Sequence, residues 1–284
     1  MSDINNESKP LGYSMVILTD NRRRRGGRGG DSKHMIKLKP GGRFSSEYGY
    51  IEHDDIAAAE SGGLVHTIGR PHPYRVFAVS YRDYVMHIKR QAQIIYPKDT
   101  AAMLMWGDIA PQQRVLESGI GQGALSIAIL RVLGGTGKLT SYELRQDFAD
   151  MSKKFIETFM GYEPENHDVQ VRDIYQGIDG VYDRVLLDLP EPWQVIPHLK
   201  SALAGGGMLI SYIPTVLQVK TMVDSLKDCG YFEEIETFEL ILRPWKVDGL
   251  SVRPEMWIYN HSAFIVAARK VLPVEKLIKH EESI

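Results

Sequence analysis

The sequence of 284 residues contains one cysteine, Cys229. A single thiol can form neither a disulfide within the chain nor a metal cluster of several thiolates. No other histidine stands at ligand spacing from His261, so no metal site is predicted. So little cysteine is typical of a reducing cytoplasm, and a cytoplasmic location is what we expect.

Long apolar runs are also missing. No stretch approaches the roughly 20 apolar residues that a membrane-spanning helix requires, and the first 20 residues lack the layout of a secretory signal. Hydrophobic residues make up 43% of the chain and charged residues 25%, which is ordinary for a globular protein with a sizeable core. We therefore predict no membrane association.

A strong net charge is absent as well, since the total is −2. The charges are unevenly distributed, however, with +5 over residues 1–93 and −7 over residues 94–284. A basic front end on an acidic body is a pattern that can indicate a polyanionic partner.

Composition divides the chain into three segments. Residues 1–33 are polar and include RRRRGGRGG at 22–30, whose glycines and repelling arginines predict a flexible basic arm. Such an arm either grips phosphates or is a solvated tail, and both alternatives stay open. Residues 34–93 predict a small β-rich domain, and residues 94–284 a larger domain.

Short runs of β-branched and aromatic residues predict the strands of residues 34–93, for example YRVFAVSYRDYVMHI at 74–88. The stretch DDIAAAE at 54–60 predicts one or two helical turns. This segment carries a set of cations, namely Arg70, Arg75, Arg82, Lys89 and Arg90.

From residue 94 onward, strand patterns alternate with helix patterns. The predicted strands are 114–118, 138–143, 169–172, 184–188, 207–213, 232–241 and 262–269. The predicted helices are 122–133, 146–160, 193–203 and 215–228. This order predicts an α/β fold with a parallel sheet and helices on both faces, closed by an antiparallel hairpin of the last two strands.

Three glycines follow the first of these strands. In RVLESGIGQGALSIAIL, Glu117 precedes Gly119, Gly121 and Gly123, and an apolar helix follows. Glycines at alternate positions allow a tight turn and a close approach of a ligand to the backbone. The stretch therefore predicts a nucleotide-binding loop.

Two further acids end the next strands and narrow the choice of ligand. Glu143 is placed to accept hydrogen bonds from two ribose hydroxyls, and Asp173 to reach an adenine amine. Nicotinamide dinucleotides and S-adenosylmethionine both carry such a ribose. The spacing departs from G-x-G-x-x-G, and Glu117 would repel a pyrophosphate but attract an ammonium or sulfonium group. The pattern favours S-adenosylmethionine.

The stretch LLDLPEPW at 186–193 ends the fourth strand. Pro190 and Pro192 cannot donate to a strand ladder, so the strand must end close to Asp188. Ligands of open α/β sheets bind beyond the carboxyl ends of the strands. We therefore expect Asp188 to face the sulfonium of a methyl donor, while Trp193 either packs this loop or lines a base pocket.

Together these stretches resemble the TrmI family of tRNA adenine-N1 methyltransferases, which act in the T-loop at position 58 and in some archaeal members also at 57. The resemblance implies a Rossmann-like class I methyltransferase domain over residues 94–284, S-adenosylmethionine as methyl donor, tRNA as partner and a homotetramer. It spans residues 93–270 and rests on QIIYPKD (93–99), VLESGIGQGAL (115–125), YELRQDF (142–148), LDLPEPW (187–193) and HSAFIVAAR (261–269).

The resemblance also implies site residues. Asp188 would accept a hydrogen bond from the exocyclic amine of the target adenine, and Tyr96 would either lie over the donor or the base, or pack a domain junction. The implied cofactor contacts are Glu117, Gly119, Gly121, Gly123, Leu125 and Ser126 along the methionine, Glu143 at the ribose, Asp173 and Ile174 at the adenine, and Asp188.

The chain departs from the family at Ile120, where the family has a threonine, so that one hydroxyl contact is missing. Two alternatives remain open, namely a class I methyltransferase for a protein (isoaspartyl-type) or small molecule, and a non-catalytic RNA-binding protein. The stretch 243–261 holds Arg243, Lys246, Arg253 and His261 among aromatics, which suits contact with RNA or with a neighbouring subunit.

Overall fold

The computed structural model describes residues 10–12, 14–20, 32–87, 93–256 and 261–272. They fall into two compact units, which divide after Lys89. Within these residues, no helix is both long and apolar enough to cross a membrane.

The N-terminal unit contains two antiparallel sheets, with the strand orders β2-β1-β7-β5 and β3-β4-β6. The strands are β1 (Met15–Asp20), β2 (Ser32–Lys37), β3 (Arg43–Ser46), β4 (Gly49–Glu52), β5 (Leu64–His66), β6 (Ile68–Gly69) and β7 (Pro73–Ala78). The helices are α1 (His53–Ala58) and α2 (Tyr81–His87). The core of this unit is apolar and includes Val16, Leu18, Ile51, Ile56 and Val76.

Strand β1 lies inside the segment 1–33 that we predicted to be a flexible arm, so that prediction is wrong for residues 15–20. Val16, Ile17 and Leu18 are buried, and the strand pairs with β2 on one side and β7 on the other. The polar composition of the surrounding sequence concealed this short apolar run. The stretch RRRRGGRGG at 22–30 lies outside the described residues.

The stretch 74–88, predicted as a strand, forms β7 and then α2. Ser80 starts this helix, because its hydroxyl accepts a hydrogen bond from the Asp83 N–H at 3.1 Å. A serine before a helix is a favourable N-cap, and the aromatic residues around it had suggested a strand instead. The short helix predicted at 54–60 is confirmed as α1.

The C-terminal unit is built on one seven-stranded sheet with the order β10-β9-β8-β11-β12-β16-β13. Its strands are β8 (Arg114–Ser118), β9 (Lys138–Glu143), β10 (His167–Val171), β11 (Tyr182–Leu187), β12 (Leu203–Ile213), β13 (Phe232–Phe238) and β16 (Phe264–Lys270). Its helices are α3 (Pro97–Trp106), α4 (Ala124–Leu133), α5 (Gln146–Met160), α6 (Ile196–Ala202) and α7 (Val216–Asp228). A separate hairpin is formed by β14 (Trp245–Asp248) and β15 (Ser251–Pro254).

The predicted sheet is confirmed. Strands β8 to β12 are parallel, and β16 lies between β12 and β13 and is antiparallel to both. Three elements of this unit were missed, namely α3, a 3-10 turn (Ile174–Gln176) and the hairpin β14–β15. The helix predicted at 193–203 consists of a 3-10 turn (Pro192–Val195) followed by α6.

The order in which strands are added to the sheet changes side at β8, and this change determines where the site lies. After β8 the chain moves to β9 and β10 on one side, and it returns to β11 on the other side of β8. Strands β8 and β11 are therefore parallel neighbours whose carboxyl ends flank a topological switch point, where open α/β sheets bind ligands.

Candidate functional site

A cavity of about 350 Å³ opens at this switch point. Its walls come from the segments that follow β8, β9, β10 and β11. The lining residues are Ser118, Gly119, Gly121, Tyr142, Glu143, Leu144, Arg145, Phe148, Arg172, Asp173, Ile174, Tyr175, Asp188, Leu189 and Pro190.

The glycines of the loop after β8 meet different steric demands. Gly119 has a φ of +88°, and a Cβ there would lie 2.0 Å from the Asp188 carbonyl oxygen. At Gly121, with a φ of +53°, a Cβ would meet nothing within 4 Å, so that this residue leaves open space over the loop. The N-cap of α4 is Gly123, where a Cβ would lie 3.0 Å from the Ile156 side chain. Gly119 therefore permits the close approach of β8 and Asp188, while Gly123 permits the packing of α4 on α5.

Beneath the loop lies Glu117, which is 1% exposed. Its Oε2 accepts hydrogen bonds from the hydroxyls of Ser126 at 2.6 Å and Ser141 at 2.8 Å. Among the described residues, its Oε1 has no hydrogen-bond partner. Burial raises the pKa of Glu117 to about 7, and the negative charges of Asp188 and Glu143 add to this rise. A cation above this carboxylate would stabilise its ionised form and so offset the cost of burying the negative charge.

Asp188 lines the cavity directly after β11. Its N–H donates to the Ser118 carbonyl at 2.9 Å, which ties the end of β11 to the end of β8. Burial raises the pKa of Asp188 to about 7. Helix α7 supports the loop that follows Asp188, because the Gln218 side chain donates to the Pro190 carbonyl at 2.9 Å.

Trp193, for which the sequence left two roles open, packs against the core of the C-terminal unit as a partly buried side chain. It is not among the residues that line the cavity. The structure therefore favours the packing role.

Glu143 and Asp173 lie on the far side of the cavity, as their strand ends predict. Glu143 Oε1 accepts a hydrogen bond from the Arg145 N–H at 3.0 Å, and Asp173 Oδ1 accepts one from the Tyr175 N–H at 2.9 Å. Between them the cavity wall includes the buried Ile174 and the exposed Leu144. Carboxylates flanked by apolar side chains suit a ligand with hydroxyl groups and a planar ring.

Several lining residues were missed in the sequence, although each lies within five positions of a predicted acid, on one side or the other. A hydrophobic residue directly after Glu143, and an aromatic one two positions after Asp173, were the available signals. The lining residues that were not predicted are Ser118, Tyr142, Leu144, Arg145, Phe148, Arg172, Tyr175, Leu189 and Pro190.

Some residues predicted for the site do not line the cavity. Leu125 and Ser126 are buried in α4, and Ser126 acts on the site through Glu117. Ile120, which stands in place of the family threonine, is also buried. Tyr96 is the N-cap residue of α3, where its carbonyl accepts hydrogen bonds from Asp99 and Thr100.

Close to Asp188 lies a buried polar network that the sequence did not indicate. Asp99 is fully buried and accepts hydrogen bonds from Lys98 Nζ at 2.7 Å, Ser262 Oγ at 2.7 Å and Tyr212 OH at 3.3 Å. Burial raises the pKa of Tyr212, with further contributions from the charges of Asp99 and Asp188. Tyr212 therefore remains a hydrogen-bond donor, and the network ties the start of α3 to the end of β12.

The raised pKa of Asp188 predicts how the stability of the cofactor-free protein depends on pH. The folded state holds a proton on Asp188 up to about pH 7, whereas the unfolded state releases it near pH 4. This contribution to stability is therefore largest at low pH and is lost as the pH rises toward 7. We expect Asp188→Asn to raise the free energy of unfolding at pH 8 by about 1–3 kcal/mol, and by less at pH 5.

Urea unfolding of the cofactor-free protein at both pH values measures this effect. Glu233→Gln serves as the control, because it makes the same change of charge at an exposed position on β13. An equal gain from Glu233→Gln, or no gain from Asp188→Asn at pH 8, would contradict the assigned burial of Asp188.

Metal binding finds no support in the described part of the chain, which contains no group of three or more histidine, cysteine, aspartate or glutamate side chains that could hold an ion.

Comparison with known proteins places the chain among tRNA methyltransferases. Residues 77–261 match the family described as GCD14, tRNA methyltransferase complex GCD14 subunit. The tRNA (adenine(58)-N(1))-methyltransferase TrmI of Thermus thermophilus is 31% identical over 238 residues, which are 84% of this chain and 92% of that protein. The tRNA (adenine(57)-N(1)/adenine(58)-N(1))-methyltransferase TrmI of Methanocaldococcus jannaschii is 27% identical over 95% of this chain and 99% of that protein.

Among solved structures, a SAM-dependent O-methyltransferase from Thermotoga maritima superposes with a TM-score of 0.83. It is 28% identical and covers 93% of this chain and 95% of its own. The predicted class I methyltransferase fold is therefore confirmed, as is the resemblance to TrmI proteins. The family match and the alignment with the Thermus thermophilus relative each cover more than half of this chain. The chain therefore belongs to the GCD14/TrmI family of tRNA methyltransferases.

Proposed function

We propose that this protein transfers a methyl group from S-adenosylmethionine to N1 of an adenine in the T-loop of tRNA, at position 58 and in some substrates also at 57. The observation that carries this proposal is the position of Asp188, a partly buried carboxylate in the same cavity as the glycine loop after β8. The relatives named above act at these adenines. Residues 94–284 would form the catalytic domain.

The residues around the cavity fit S-adenosylmethionine. Glu117 Oε1, which has no hydrogen-bond partner in the described part of the chain, lies beneath a loop whose Gly121 leaves open space. This arrangement suits the ammonium of the methionine part. Glu143 would accept hydrogen bonds from the ribose, and Asp173 from the adenine amine, with Leu144 and Ile174 against the ring. Bound S-adenosylmethionine would supply a methyl group on a positively charged sulfur.

Asp188 would act on the target base. The N1 of adenine has a lone pair and no proton to remove, so that no strong base is required. Because N1 lies on the Watson–Crick edge, the base must leave its stack to react. The Asp188 carboxylate would accept a hydrogen bond from the exocyclic amine, orient N1 and favour the positive charge that N1 acquires. Tyr96, beside the Asp99 network, would line the entrance for the base.

The role of Glu143 leads to a prediction for cofactor affinity. A hydrogen bond to a charged group contributes about 1.5–3 kcal/mol. We therefore expect Glu143→Ala to weaken the binding of S-adenosylmethionine about 10- to 100-fold in titration calorimetry. Asp147→Ala is the matched control, because Asp147 is an exposed acid of the same segment that pairs with Arg145. Unchanged affinity in Glu143→Ala would contradict the ribose assignment.

The N-terminal unit would bind the phosphates of tRNA. Arg70 is exposed with its guanidinium 5.8 Å from the centre of the Tyr48 ring, and Arg82 is exposed on α2. Arginines of this kind contribute sequence-independent, salt-sensitive affinity for nucleic acid. Lys89, Arg90 and the arginines of 22–25 belong to the same basic segment, residues 1–93, but lie outside the described residues.

The protein would act as a cytoplasmic homotetramer. The hairpin β14–β15 supports self-association, because its strands pair only with each other in the described part of the chain. Trp245, Val247 and Val252 are exposed on it, and exposed apolar patches of this kind mark interfaces. Light scattering should give about four times the chain mass of 32.1 kDa, and a monomer would refute the tetramer.

Transfer of labelled methyl groups to unmodified tRNA tests the activity. We expect the label in 1-methyladenosine at position 58, and its loss after ribonuclease treatment. Replacement of A58 by guanosine controls for the position. Label that survives ribonuclease would favour a protein substrate, and RNA binding without cofactor affinity would favour a non-catalytic protein.

A further inference from the structure

A chain of hydrogen bonds leads from Glu117 away from the cavity. Ser141 Oγ, on β9, lies 2.8 Å from Glu117 Oε2. Ser141 Oγ also lies 2.9 Å from Nε2 of His167, which is on β10. Ser141 is completely buried. Its hydroxyl therefore connects a carboxylate below the glycine loop with an imidazole two strands away.

His167 lies at a second cavity of about 110 Å³, which Lys153, Glu163 and Asp168 also line. Burial lowers the pKa of His167 to about 4, with the charge of Lys153 acting in the same direction and that of Asp168 opposing it. The imidazole is therefore neutral near pH 7 and carries its single proton on either Nδ1 or Nε2.

The hydroxyl of Ser141 has one proton, so the chain has two arrangements. When Glu117 is ionised, Ser141 donates to Oε2 and must accept from Nε2–H of His167. When Glu117 is protonated on Oε2, it can donate to Ser141, which then donates to Nε2, and His167 carries its proton on Nδ1. Conversion to the second arrangement takes one proton from water at Nδ1, while the Nε2 proton moves to Ser141 and the Ser141 proton moves to Glu117.

We propose that His167 is a positioning residue for the cofactor, which acts through Ser141 to favour the ionised form of Glu117 and changes tautomer when Glu117 gains or loses its proton. The proposal rests on the proposed function in one respect, because it takes the cofactor ammonium to be the group that requires ionised Glu117.

Other ionisable groups lie near Glu117, and their titration must be distinguished from that of Glu117. The charges of Asp188 and Glu143 both face Glu117, and its remaining polar neighbour is the Ser126 hydroxyl on α4. Asp188 has a pKa of about 7, as Glu117 does. The affinity profiles are therefore measured in an Asp188→Asn background, where Asp188 no longer titrates.

The dissociation constant of S-adenosylhomocysteine, which has the same ammonium and no reactive methyl group, is measured by calorimetry from pH 5.5 to 9. We expect binding to tighten as the pH rises toward 7 and then to level off. His167→Phe should move the midpoint upward by about 0.4–1 pH unit, which weakens binding about 3- to 10-fold at the acid end and leaves it unchanged at pH 9.

His167→Gln is the conservative control, because its amide can donate to Ser141 in place of Nε2–H. Its midpoint should lie close to that of the background protein. A structural role for His167 would weaken binding equally at all pH values, and this result, or an unmoved midpoint in His167→Phe, would overturn the proposal. If S-adenosylhomocysteine does not bind even without the His167 changes, the proposed function fails instead.

Nitrogen NMR of the His167 imidazole tests the same proposal without changing His167. We expect the proton on Nδ1 in the cofactor-free protein at pH 5.5, and on Nε2 after S-adenosylhomocysteine binds. The same tautomer in both states would overturn the proposal.

Discussion

Asp188→Asn should reduce the rate of methyl transfer to tRNA by about two to three orders of magnitude, which is the usual effect of removing one preorganised electrostatic group from an active site. Asparagine keeps the size of the side chain and can still accept a hydrogen bond, but it has no negative charge to offset the charge that develops on the adenine ring. Single-turnover methylation of unmodified tRNA, with saturating S-adenosylmethionine, measures this rate.

The affinity of the cofactor is the control for this prediction. Asp188 is assigned to the base and not to the methionine or the ribose, so calorimetry should give a dissociation constant within a few-fold of that of the unchanged protein. The unchanged protein should also gain activity as the pH rises through about 7, where Asp188 ionises, and the variant should lack this rise. Normal turnover by Asp188→Asn would refute its assigned role.

Gly119→Ala should have the largest effect on folding. The new Cβ would lie 2.0 Å from the backbone oxygen of Asp188, at a φ of +88° that is unfavourable for alanine. Either β8 or the start of the loop at Asp188 must move. We expect the free energy of unfolding to fall by about 3 kcal/mol, in the range of other severe backbone effects, and methyl transfer to be lost.

Gly121→Ala is the matched control within the same loop. Its Cβ would meet no atom within 4 Å, and its φ of +53° is that of a left-handed turn, so the expected loss of stability is about 1 kcal/mol. Urea unfolding of both variants makes the comparison. Equal stability of the two would show that the close contact between Gly119 and Asp188 does not exist in solution.

Much of the C-terminal unit could be predicted because its sequence patterns are local. Glycines, prolines and acids stand at strand ends, and the alternation of strands with helices fixes a parallel sheet with one edge for ligands. Glu117, Gly119, Glu143, Asp173 and Asp188 were found in this way, and the cavity or its floor contains all of them.

The missed features depend on contacts between residues far apart in the sequence. The pair Asp99 and Ser262 is separated by 163 positions, and Ser141 and His167 by 26. Nothing local distinguishes these residues from ordinary polar ones. Strand β1 was missed for a different reason, since its apolar run is short and lies in a polar and basic surrounding.

The central claim is that Asp188 and the reactive end of the cofactor share one cavity. A crystal structure with S-adenosylhomocysteine tests it most directly. We expect the ligand sulfur and the Asp188 carboxylate to face each other across a space wide enough for a purine ring, with the ribose at Glu143. A carboxylate that points away from the sulfur, or a ligand bound outside the glycine loop, would contradict it.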